Sequence, residues 1–203
     1  MRIGFCGVKQ SDQAEFIDAF KKVWPSYKID FGSSVLTFGD PDDVVKDQLK
    51  VLNARIDKAM EYNKTKNVVH LNTSLDSLVD IFWKASKDEA GFDDITIQRA
   101  IMLTKQCMSF YDVLLYFPLM AKGENDAKVE QKDVECDNFY SVILESYTKG
   151  RSWIFPFNEV GGSCPMIEIF GSIPEKIEQI KLYLTPDGEA YSEKDSLISE
   201  AIQ

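Results

Sequence analysis

Histidine is almost missing from this 203-residue chain, which holds only His70. Cysteine is sparse: Cys6, Cys107, Cys136 and Cys164 stand far apart, with no C-x-x-C pair among them. Zinc sites need closely spaced thiols and imidazoles, so none is expected. Thiols this scattered in a chain this long point to reduced cysteines rather than a disulfide scaffold. Positive charge is short as well. Lys and Arg number 23 against 33 Asp and Glu, for a net charge of −10. Such a surface repels the phosphate backbone and anionic bilayers. Neither nucleic acid bound by direct electrostatics nor a membrane is therefore expected as a partner. No apolar run approaches the roughly 20 residues that span a bilayer, and there is no internal repeat. Met1-Arg2-Ile3 leads straight into a strand, so no signal peptide is expected.

What is present suffices for a core: 44% hydrophobic residues and 12% aromatic. That predicts one domain, residues 1–185, with a short appendage at 186–203. Ile3 and Phe5 form a strand, and Gly4 to Gly7 a turn. Phe16, Ile17, Phe20, Val23 and Trp24 follow at helical spacing. Residues 27–38 read as one or two short extended pieces. Asp40-Pro41 opens a helix with a stripe at Val45, Leu49, Leu52, Ile56 and Met60. Residues 68–71 are a short strand, and Asn72 and Thr73 cap a helix carrying Leu75, Leu78, Val79 and Phe82. A loop precedes a helix over 95–108, and residues 111–117 (Y-D-V-L-L-Y-F) are the clearest strand. Residues 121–137 are charged without an apolar face, a lid or a solvated loop. A helix over 138–147 carries Phe139, Val142, Ile143 and Tyr147. Residues 151–165 are irregular, with Trp153, Phe155 and Phe157 suited to core packing, a stacking slot or an interface. A strand over 166–170 precedes a Ser172/Glu175 capping box and a helix through Leu184. Pro186-Asp187-Gly188 is a turn, and residues 192–202 form a short helix. Strands alternating with helices predict an α/β fold with a mostly parallel sheet of about five strands in three layers. Ligands on such sheets sit at the carboxyl ends of the strands, here Gly7, Leu71 and Pro118.

The first strand, turn and helix keep the frame of the phosphate-binding loop G-x-x-x-x-G-K-[ST] (Walker A) and none of its later residues. Gly7 is the first glycine. Asp12 stands for the second, Gln13 for the lysine and Ala14 for the Ser or Thr. Gln13 has no charge for the outer phosphates, and Ala14 no hydroxyl for magnesium. Asp12 with Glu15 fits a helix that caps itself, filling the donors an anion would use. Lys9 and Ser11 lie inside the loop. Lys9 is a solvated residue or a substitute for the missing lysine.

The order of these elements resembles the P-loop nucleoside monophosphate kinases, in particular the bacteriophage deoxynucleoside monophosphate kinase and thymidylate-kinase-like group. Three further segments carry the resemblance: V-V-H-L-N-T-S-L-D (68–76), Y-D-V-L-L-Y-F-P (111–118) and I-E-I-F-G-S-I-P-E-K-I-E-Q-I (167–180). It implies a P-loop-kinase-like fold over residues 1–185 with a lid at 118–137. It also implies an adenine-side turn at Gly171 and Ser172, and ATP with magnesium as cofactors of an active member. The departures are consistent in direction. Where the family strand ends in Asp-Arg this chain has Leu71 and Asn72. Asp76 is retained, with a structural use in a helix first turn as the plainer reading. The lid has Lys122, Lys128 and Lys132, more acids than bases, and no arginine. Phosphoryl transfer is mainly positioning and charge neutralisation, and the groups for it are missing.

The expectation is therefore a catalytically inactive kinase-like protein, a structural or interaction component with a protein partner or a second copy of itself. It has no catalytic residues, no cofactor and no metal. The expected location is cytoplasmic; the resemblance implies a phage origin, and with it the host cytoplasm or the virion. The alternatives are an active kinase using Lys9 and a lid lysine, and a nucleotide-binding module without turnover. Gly7, Lys9, Ser11, Asp76, Gly171 and Ser172 would be its vestigial contacts. His70 reads as a packed core-edge histidine or a general base without a nucleophile to serve.

Overall fold

The computed structural model describes residues 1–7, 13–31, 44–62, 65–88, 92–119, 129–148 and 164–189. Along the chain these form β1 (Arg2–Cys6), α1 (Gln13–Val23), β2 (Lys28–Asp30), α2 (Val44–Glu61), β3 (Val68–His70), α3 (Ser74–Ser86), α4 (Asp94–Met108), β4 (Val113–Tyr116), α5 (Gln131–Thr148), β5 (Met166–Glu168) and α6 (Ile173–Ile180). The strands pair in the order β2-β3-β1-β4-β5, and every pairing is parallel. Crossover helices on both faces are what a fully parallel sheet requires. Among the described residues, no helix is long and apolar enough to cross a membrane.

Strand alternation sorts two cores. Ile3, Phe5, Val113 and Leu115 point to the side of α1 and α6 and meet Phe16, Phe20, Trp24, Tyr27, Ile177 and Ile180. Cys6, Leu114, Tyr116 and Met166 point the other way, into a core shared with Leu52, Leu78, Ala100, Cys107, Tyr140 and Ile143. The first core is aromatic: Phe5 packs against Phe16 and Phe20 at ring distances of 5.6 Å each.

Several boundaries differ from expectation. Gly4 is a strand residue, paired with His70 and Leu114. A Cβ there would lie 2.4 Å from the Leu114 side chain and 2.9 Å from that of Thr73, so the glycine permits close packing rather than a turn. The turn begins only at Gly7, with φ +130°. Met60 is exposed and Ala59 is buried. At 3.6 residues per turn, position 59 falls about 20° from Leu52 on the helix and position 60 about 80°. The helix expected at 138 starts at Gln131 and takes in the last third of the supposed lid. Its inner face is Cys136, Tyr140 and Ile143, whereas Val142 is exposed. α6 stops at Ile180, and residues 181–183 continue as turns. The turn at 186–188 is tied to the end of α1, because Trp24 Nε1 donates to the Thr185 carbonyl (2.9 Å) and the Tyr27 hydroxyl to that of Gly188 (2.6 Å).

The Asp40-Pro41 helix start, the greater part of the 27–38 stretch, lid residues 121–128, the aromatics Trp153, Phe155 and Phe157, and the terminal helix lie outside the described residues. So do Lys9, Ser11 and Asp12 of the loop.

Candidate functional site

The carboxyl ends of β1, β3 and β4 open into a cleft of about 340 Å³. Its floor comes from strand ends (Phe5, Cys6, Gly7, Leu71, Phe117), and one wall from Gln13 and Phe16 of α1 with Lys176 of α6. The other walls are Arg55 of α2, Asp76, Val79 and Asp80 of α3, and Lys132, Asp133, Cys136 and Tyr140 of α5. This is the sheet edge where ligands of parallel α/β folds bind.

Of the positions singled out in the sequence, Gly7, Gln13, Leu71, Asn72 and Asp76 meet at this cleft. Gln13 is half-buried and is the first residue of α1, while Ala14 is exposed. Leu71 is buried. Asn72 sends its amide to the Phe31 carbonyl at 2.7 Å, which ties the ends of β3 and β2 together. Gly171 and Ser172 are not part of the cleft lining. Ser172 donates from its N–H (2.7 Å) and hydroxyl (2.6 Å) to Glu175, closing the expected capping box on α6. His70 is buried, with Nδ1 3.1 Å from Asp30 Oδ2 and its ring edge-on to Tyr62 and Tyr111. Burial lowers its pKa, against the pull of Asp30, so the ring is held as a packed neutral group.

Asp76 is the most connected of these residues. It completes the α3 capping box by accepting from the Thr73 N–H (2.5 Å) and hydroxyl (2.8 Å). It also accepts from the Gly7 N–H at 3.2 Å and the Tyr140 hydroxyl at 2.6 Å. Arg55 stands beside it and donates to the Thr73 carbonyl at 3.0 Å. Burial raises the Asp76 carboxyl pKa, opposed by Arg55 and by the bonds from Tyr140 and Thr73. Burial, then the Asp76 charge, lifts both the Tyr140 phenol and the Cys6 thiol well above their ordinary values. The Cys136 thiol is pushed up to about 11 by burial and by Asp80. These thiols are therefore protonated at neutral pH and poor nucleophiles. A carboxylate holding four donors positions its neighbours, and little of it is left to act as a base.

Three cations reach the cleft: Arg55, Lys132 and Lys176. Lys176 is buried, its Nζ about 6 Å from the ring centres of Phe16 and Phe117. Lys132 is 3.3 Å from Asp80. Arg55 and Lys176 escaped the sequence reading, as did Tyr140, because a charged or isolated polar residue on an amphipathic helix looks solvated. Only the α5 cysteine–tyrosine–isoleucine spacing carried a signal for Tyr140. Among the described residues, no group of three or more His, Cys, Asp or Glu is gathered to hold a metal ion.

No protein-family model matches this chain, and no curated protein sequence matches it. Solved structures match it in shape. A deoxyadenosine kinase from M. mycoides with bound dATP superposes with a TM-score of 0.58 at 15% identity, covering 89% of this chain and 97% of that one. The same kinase with the product dCMP and a flexible dCDP bound gives 0.56 at 14% identity, covering 89% and 96%. At such identity the likeness is one of fold: a five-stranded parallel sheet flanked by helices, shaped like that of this kinase, as the α/β reading of the sequence expected.

Proposed function

We propose that this chain is a kinase-fold protein that does not transfer phosphate and serves as a structural or interaction component. One observation carries the reading: α1 opens on Gln13, which lines the cleft, followed by Ala14, where transfer would need an ammonium and a magnesium-binding hydroxyl. Leu71 and Asn72 support it, since the first is apolar and the second is spent on the Phe31 carbonyl. The test is phosphoryl transfer from ATP with magnesium. The acceptor panel holds deoxynucleosides, deoxyadenosine among them because of the neighbours, and deoxynucleoside monophosphates. The expected outcome is no product above the protein-free control. Product that disappears in Lys9→Ala would instead establish an active kinase with an unorthodox site.

A second reading is favoured by the cleft itself. Its volume and its three cations suit a nucleotide bound without turnover. Calorimetric binding of a nucleotide with no transfer would select that reading over a purely structural role.

A further inference from the structure

We propose that the protein supplies its own cleft ligand: the Asp76 carboxylate stands in for a bound anion between the β1 turn and α5, and holds α5 in place with no nucleotide present. The inference rests on the non-catalytic reading above and says how the cleft persists under it.

The geometry is that of a bound anion. One carboxylate oxygen takes the Gly7 N–H at 3.2 Å and the Tyr140 hydroxyl at 2.6 Å, while the other takes two donors from Thr73. Those donors come from three separate parts of the chain: the turn after β1, the start of α3 and the middle of α5. Arg55, from a fourth, contributes its charge. In nucleotide-dependent enzymes such elements are commonly brought together by the ligand, and closure follows binding. Here a side chain already does so. The closing energy is built into the fold, so a nucleotide that makes no better contacts in the closed state cannot shift it.

Two further sets of contacts fix α5 in the same position. Toward α3, Glu135 accepts from Trp83 Nε1 at 2.7 Å and pairs with Lys87 at 2.8 Å, and Lys132 lies 4.7 Å from the Trp83 ring centre. Toward β4, Asp137 accepts from the Tyr116 hydroxyl at 2.7 Å and the Leu119 N–H at 2.9 Å, and Tyr140 stacks on Tyr116. These contacts pin α5 to α3 and β4. Of these links, only the Asp76–Tyr140 bond joins it through a carboxylate to the turn that would otherwise meet phosphate.

Amide hydrogen exchange on the full chain tests this. In the wild type, peptides covering residues 3–7 and 131–140 should be protected without nucleotide, and ATP with magnesium should add nothing. Tyr140→Phe keeps the ring and its stacking and removes one donor. It should raise exchange at both sites together, by up to about tenfold, the worth of one net hydrogen bond. Asp76→Ala should raise both further, and formate, a small carboxylate, should restore protection where chloride does not. Exchange that rises at 131–140 alone, with the Gly7 peptide unchanged, would overturn the proposal. So would protection of wild-type α5 that increases several-fold on adding nucleotide. The transfer assay is independent of these readouts, so failure of the coupling and failure of the non-catalytic reading are told apart.

Discussion

Two helices in this protein start with the same local chemistry, and the difference between them is instructive. α3 opens on Thr73 and Asp76, α6 on Ser172 and Glu175, each a hydroxyl three residues before an acid in a capping box. Glu175 is exposed, and the bonds it is seen to make are to Ser172. Asp76 makes the equivalent bonds and two more, to residues 69 and 64 positions away in the chain. A cap on the outer surface is a local device. The same cap placed at the sheet edge becomes a junction between elements.

The largest effect should come from Asp76→Ala. It strands the Gly7 N–H, the Tyr140 hydroxyl and the Thr73 donors, and should cost roughly 3 kcal/mol of unfolding free energy, read from the urea midpoint. A loss no greater than that of Glu175→Ala would dissolve the comparison. Gly7→Ala should follow at about 2 kcal/mol, because the residue has positive φ and a Cβ would press on the Phe117 carbonyl. Tyr140→Phe should cost about 1 kcal/mol. Glu175→Ala should give the smallest shift in midpoint of the four.

The two acids should also respond to pH with opposite sign. Glu175 has its pKa lowered below 4.5 by its bonds from Ser172, so its contribution is present above 4.5 and is lost as pH falls through the folded value. Asp76 has its pKa raised above 3.8, chiefly by burial. The folded state then takes up that proton more readily than the unfolded chain. The Asp76 term is most favourable below 3.8 and declines as pH rises through the folded value. Urea midpoints of wild type against Asp76→Asn and Glu175→Gln across the acid range should diverge accordingly. Parallel trends would show that the two caps are electrostatically alike.

How far the sequence foretold this arrangement depends on the range of each interaction. The first strand and helix, the Ser172/Glu175 capping box and the parallel sheet follow from patterns a few residues long, and all were legible. Asp76 could be read as a helix-start acid, since Thr73 and the helix are adjacent. Its second role was hidden, because Gly7 and Tyr140 join it only through the strand order. The first turns of α5 were missed because Gln131, Lys132, Asp133 and Glu135 offer no apolar stripe. They are held instead by Trp83 and Asp80 of α3 and by Lys87 just after it. Arg55 and Lys176 carried no signal in the sequence, because only the fold brings α2 and α6 to one cleft.

The central claim is that the protein's own carboxylate fills the anion position of this cleft, which therefore no longer takes a triphosphate. The most direct measurement is thermal unfolding of the full chain at millimolar ATP with magnesium, followed through the tryptophans. The account predicts no change in Tm, since a ligand that does not bind the folded state adds no stability. A rise of several degrees that grows with ATP concentration would contradict it.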